Sequence, residues 1–211
     1  MQLEQAYLRV GTWNGAPVRV HFTAPIGIIA FSGFELAPAR WLGVALVIFI
    51  HEVGHALLVR RCGGTTISID MTGVGGECHW AGAPGRFARC LIAWGGVAAQ
   101  GVLLVVASAT IALVGGGRTM AARDFLYALT ASNVLMGLLN LLPVRPLDGA
   151  EAWRIVPLAL RRLRPVLRRA YHGGSARVTV RRQERLESGE HVPPLPAEIV
   201  EQLRRITEDD R

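Results

Sequence analysis

Leu91–Gly117 runs for 27 residues without a charged side chain. A helix needs about 20 apolar residues to cross a bilayer, and a soluble domain of this size rarely needs so long an uncharged run in its core. Phe125–Val144 is a second uncharged stretch, of 20 residues. Trp41–Val59 is a third, apolar except for His51, Glu52 and His55. Phe22–Leu36 is shorter and interrupted by Pro25 and Glu35, which makes it a weaker fourth candidate. The rest of the composition agrees. Only 18% of the 211 residues are charged against 51% hydrophobic, where soluble domains carry about 25% charge. An ordinary soluble globule and a disordered chain are both excluded. The expected fold class is an α-helical integral membrane protein with three core transmembrane helices and a further, N-terminal one.

The charge is uneven: residues 161–211 hold 12 of the 23 basic residues and 8 of the 16 acids. This divides the chain into a membrane-embedded core, 1–155, and a basic tail, 156–211. All the basic residues are Arg, which fits a GC-rich genome. Glu151–Arg169 is too basic to span and reads as an interfacial helix, with Arg161, Arg162, Arg164, Arg168 and Arg169 facing anionic headgroups. Nucleic acid is disfavoured as a partner, because that stretch has no interleaved stacking aromatics beyond Trp153 and Tyr171. If all four candidates span with the N-terminus inside, the inner segments carry Arg9, Arg19, Arg60, Arg61, Arg86, Arg89 and the tail. The outer ones carry Arg40, Arg118 and Arg123. That bias places both termini in the cytoplasm. The three cysteines, Cys62, Cys78 and Cys90, form no CxxC pair and read as free thiols facing a reducing compartment. No secretory leader is legible in the first twenty residues.

Between Trp41–Val59 and Leu91–Gly117, Thr65–Gly85 changes character. Ile67, Ile69 and Met71 alternate, and Gly73, Gly75 and Gly76 follow, which predicts a short β-hairpin.

The chemistry lies in His51-Glu52-Val53-Gly54-His55. Imidazoles at i and i+4 share one helix face, at the spacing for two ligands of one metal, and the intervening glutamate can take a proton from a water on that metal. A glutamate without a role in an apolar helix costs about 2–3 kcal/mol even on lenient insertion scales, so a solvated helix turn does not explain Glu52. Metal binding does. A catalytic zinc site has three protein ligands, and topology nominates the third. Trp41–Val59 and Phe125–Val144, separated by one crossing, run parallel and end at the same membrane face, where Asp148 follows Asn140-Leu-Leu-Pro143-Val-Arg-Pro146-Leu147. Two prolines prevent a regular helix there, and irregular backbone at membrane depth lines a cavity or is buried. Leu-Asp-Gly is also ordinary turn chemistry, so the alternative for Asp148 is a surface turn. Cys78-His79 and Glu77 lie near the expected site, but adjacent residues rarely ligate one ion together. His21 reads as interfacial, and His172 and His191 as solvated.

These residues resemble the site-2 protease family of intramembrane zinc metalloproteases, particularly its compact bacterial members. The His51–His55 segment is similar to the family's zinc-binding helix and Asn140–Gly149 to its second signature. Weaker echoes lie in Gly15–His21, similar to the entry to the family's first span, and in Gly75-Gly76, similar to its hairpin. The resemblance covers about residues 10–155. It implies an endopeptidase of the bacterial inner membrane that cuts transmembrane segments of other membrane proteins. Zn2+ would be held by His51, His55 and Asp148, with Glu52 activating the water. It further implies that an unwound substrate strand pairs with the 65–85 hairpin, with Asn140 holding the substrate backbone or the oxyanion.

The sequence departs from the family in its third span, where Gly-Pro followed shortly by Asn is common. Here that stretch is Trp94-Gly95-Gly96-Val97-Ala98-Ala99-Gln100, and Gln100 is the candidate for the missing amide. The loops are too short for an inserted PDZ-like domain, which leaves substrate choice to the membrane portion, the tail or a regulatory partner. Two rivals stand beside the enzyme: a catalytically inactive membrane adaptor on the same scaffold, and a metal-binding membrane protein that uses no base. An intact Glu52 argues against both.

Overall fold

The computed structural model describes residues 6–161 and, beyond them, only positions 185, 188–189, 194, 197–198 and 200–201. The expected helix Glu151–Arg169 therefore lies partly, and the remaining tail almost wholly, outside the described residues. Chain contacts separate Met1–Leu158 from Ala159–Arg211 as two units, and the first holds everything described below.

The core helix is α2, Pro38–Arg61. Pro38 suits the first helical position, where no intrahelical N–H bond is lost. Arg60 and Arg61 lie in the last turn, where a positive charge favours the helix dipole. The second long helix, α3, covers Arg86–Val114. Both are long and apolar enough to cross a membrane. On α3 the apolar residues Val102, Val105, Val106 and Leu113 are all more than half exposed. An exposed band of that kind marks a surface that meets lipid or protein rather than water.

The third helical stretch is interrupted. It begins as α4, Met120–Tyr127, continues through a π-helical turn, Ala128–Ser132, and ends as α5, Asn133–Asn140. Asn133 sits where the π turn returns to α-helix. Its side-chain amide donates to the backbone oxygens of Leu129 and of Gln100 on α3 (3.2 and 3.0 Å), tying the two helices together.

The N-terminal part differs from a spanning helix. Phe22–Leu36 contains only the eight-residue helix α1, Ala24–Phe31, about 12 Å long at 1.5 Å per residue. Ahead of it lie two strands, β1 (Tyr7–Trp13) and β2 (Ala16–His21), joined through Asn14 and Gly15, both at positive φ. The predicted hairpin is present as β3 (Thr65–Thr72) and β4 (Gly75–Ala81). The four strands form one sheet in the order β1-β2-β3-β4, with β2 parallel to β3 and the outer pairs antiparallel. Gly64, just ahead of β3, packs on Val59, while Ile69 and Met71 pack against successively earlier parts of α2. β3 thus runs back along α2. Because β2 is parallel to it, residues 16–31 also run counter to α2, as strand followed by short helix.

One face of the sheet packs on α2 through Val18, Ile69 and Cys78, against Val53 and Ala56. The opposite face carries a polar network. Arg19 on β2 binds Asp70 on β3 through Nε (2.7 Å) and Nη2, and Nη2 also donates to Ser68. His79 on β4 lies 3.3 Å from both Asp70 and Glu77. Asp70 is only 1% exposed. Removing the partner of a charge buried so deeply costs several kcal/mol, so Arg19 fixes the β2–β3 register as well as neutralising the acid.

Candidate metal centre

His51, Glu52 and His55 are all buried in the middle of α2. Helical spacing stacks the two histidines on one face, their rings 4.6 Å apart and near perpendicular. Asp148 comes from the turn that follows α5 and precedes the four-residue helix α6, Gly149–Ala152. Its Oδ2 lies 2.8 Å from His51 Nε2 and 3.1 Å from His55 Nε2, and the two Nε2 atoms are 2.9 Å apart. Three donor atoms from two distant parts of the chain thus converge on one point.

The other nitrogen of each ring decides what these atoms can be. His51 Nδ1 faces the side-chain oxygen of Gln100 at 3.0 Å, and His55 Nδ1 faces the backbone oxygen of Ile92 at 2.7 Å. Both partners are acceptors, so each neutral ring carries its hydrogen on Nδ1 and turns a lone pair inward at Nε2. Two imidazole lone pairs and a carboxylate oxygen within about 3 Å of each other repel unless positive charge joins them. A proton can bridge two of them, whereas a divalent cation satisfies all three. The set also suits zinc chemically, and partners at the outer nitrogens are the usual means of orienting such ligands.

Room for this arrangement is made by glycines. A Cβ on Gly96 of α3 would stand 2.5 Å from both Nε2 atoms. Gly54 and Gly95 face each other's backbone carbonyls with no space for a side chain on either, which lets α2 and α3 approach closely. On the other side of α2, Gly76 of β4 lies against Glu52, where any side chain would overlap the carboxylate. Glu52 is 3% exposed, and its carboxylate lies within 4.8 Å of the histidine donor atoms.

A cavity of about 700 Å3 opens onto these groups. Asp148, Asn140 and Arg145 line it from the α5–α6 segment, Gly75–Trp80 from β4, and Phe31, Ile48, Ile92 and Met136 supply apolar wall. Among the candidates, His51, Glu52, His55, Asp148 and Asn140 all border this space. Gln100 does not; it is 2% exposed and stands behind His51. Cys78 lines the cavity, but burial, reinforced by the charges of Glu52, Asp148 and Asp70, pushes its thiol up to about 12. It is not in the group of side chains close enough to share one ion with the histidines. Motif spacing alone points neither to Gly96 as a cradle for the imidazoles nor to the carbonyl of Ile92. The Gly95-Gly96 pair, one turn of α3 from Gln100, is the signal that points to the first.

No family model matches the chain. "Putative zinc metalloprotease Rip3" of Mycobacterium tuberculosis is 33% identical over 114 residues in each of two strains; the match covers 51% of this chain and 28% of the relative. Among solved structures, the site-2 protease of Methanocaldococcus jannaschii superposes with a TM-score of 0.57 at 20% identity, covering 71% of each chain. The chain therefore has the fold of that protease; it spans little more than a quarter of the curated relative's length.

Proposed function

We propose that this chain is an intramembrane zinc endopeptidase, cutting peptide bonds in or near the transmembrane segments of membrane proteins. One observation carries the proposal: His51, His55 and Asp148 turn three lone-pair donors toward a single point, with a buried glutamate beside them and a cavity in front. His51, His55 and Asp148 are the residues that would hold the ion. When bound, a zinc ion supplies Lewis-acid polarisation of the scissile carbonyl and makes water more acidic.

The remaining steps belong to the protein. Glu52 accepts a proton from the attacking water and returns it to the departing amine nitrogen, so that one carboxylate serves as base and then acid. The absence of a side chain at Gly76 lets β4 lie directly against Glu52, at the wall of the cavity. Among the described residues β4 ends the sheet order, and its outer edge has no strand partner there. An extended substrate segment can add there by backbone hydrogen bonds, which exposes a peptide bond that a helix would bury. Asn140 at the cavity wall is the side chain we assign to the substrate backbone or the oxyanion. For Gln100, behind His51, we propose instead the orientation of that ligand.

In this reading residues 1–155 form the catalytic core in the cell membrane. The basic tail from 156 lies along the headgroups or receives a regulatory partner. The test is direct. The purified chain is reconstituted in vesicles with a panel of tagged single-span membrane proteins. We expect at least one to be cut within or at the edge of its apolar segment. Cutting should stop with a zinc chelator and return when zinc is restored. A metal-loaded chain that cuts none of them would favour the adaptor.

A further inference from the structure

Asp148 is the least buried of the three donors, its side chain 27% exposed, and its segment is held by turn bonds rather than by regular helix. Between α5 and α6 the backbone makes turn bonds, among them Leu142 to Leu139, Val144 to Leu142, Leu147 to Val144 and Ala150 to Leu147, and the backbone oxygen of Asp148 accepts from Glu151 and Ala152 of α6. Pro143 and Pro146 contribute no N–H at all. Asp148 stands at the start of α6, but its side chain does not cap that helix; it is committed to the histidines instead.

Two tryptophans close the segment from outside. Trp153, just after α6, donates its indole N–H to the backbone oxygen of Leu141 at 2.7 Å, joining the two ends of the loop that carries Asp148. Trp94 on α3 donates to the oxygen of Ala152 at 3.1 Å, fixing the same loop to the helix that carries Gly96. The two rings meet edge to face, 5.4 Å apart, an arrangement that adds to its own burial energy. Within the ring they close, Gly149 lies directly against the carbonyls of Leu141 and Leu142.

We infer that Trp94 and Trp153 are positioning residues that hold Asp148 on the two histidines, so that the third metal donor depends on a clasp outside the site. The inference rests on the metal-site reading above. Neither indole touches the donor atoms, and their effect passes through the backbone of residues 141–152.

The experiment uses the full chain in detergent. Zinc affinity is measured by competition with a chelator for the wild type and for Trp94→Phe combined with Trp153→Phe, each with and without Asp148→Ala. Phe keeps an aromatic ring at each position but removes the pyrrole half of the indole together with its N–H. With Asp148 present, we expect the double Phe variant to lose roughly 10- to 100-fold in zinc affinity, as when other groups that orient ligands are removed. With Asp148→Ala it should lose nothing more, because coupled residues are non-additive. Equal losses in both backgrounds, or none in either, would overturn the clasp. Amide exchange on metal-free protein provides a second readout. Residues 144–150 should exchange faster in the double Phe variant, and unchanged exchange there overturns the inference. Absence of zinc from the wild type would overturn the metal reading on which it rests.

Discussion

Glu52→Gln is expected to lower peptide hydrolysis by roughly 10²- to 10⁴-fold, the usual contribution of a positioned acid–base group, while leaving zinc content unchanged. Gln is nearly isosteric with Glu, and the pocket under Gly76 is shaped to that volume, so packing of the sheet on α2 should survive. The three converging donors do not include Glu52, so binding of the ion should survive as well. What is lost is a carboxylate able to accept and return a proton. Cleavage is read on gels from reconstituted vesicles and zinc by elemental analysis of the same preparation. Cleavage at wild-type rate would remove Glu52 from the mechanism. Loss of zinc together with cleavage would make it a ligand instead.

Gly96→Ala is expected to have an effect of comparable size, by a different route. The new methyl would stand 2.5 Å from the Nε2 atoms of both His51 and His55. Neither ring can swing away freely, because each is tethered at Nδ1, to Gln100 and to the Ile92 carbonyl. Either a tether breaks or the helices separate at the Gly54–Gly95 contact. In both cases two ligands are misplaced at once, and we expect zinc affinity to fall by at least about 100-fold, the upper end of what a single orienting partner contributes. Circular dichroism should show the helices retained. Zinc binding at wild-type strength in Gly96→Ala would mean that the imidazoles do not point at α3.

The parts of this site that were legible in the sequence are those whose geometry is local or follows from helix direction. His51 and His55 share a face because they are four residues apart, and the alternation at Ile67, Ile69 and Met71 identifies β3. Asp148 needed one further step, the parallel direction of two candidate spans. The N-terminal strands were legible in part. Asn14-Gly15 between short alternating runs is a strong hairpin signal, but the apolar stretch that follows resembles a span and competes with it. What Gly96 and Gln100 do could not be read off, because their partners lie 41 to 49 residues away in sequence, and spacing alone does not reveal which glycine faces which ring. The tryptophan clasp was illegible for a stricter reason: both indoles donate to backbone carbonyls, which carry no sequence signature.

Zinc content per chain, measured on detergent-purified wild type beside Asp148→Ala, tests the central claim most directly. The account predicts about one zinc per wild-type chain and much less in the variant, since two imidazoles alone hold the ion weakly compared with three ligands. A well-folded wild type without metal, or an Asp148→Ala variant that retains it fully, would contradict the three-donor site.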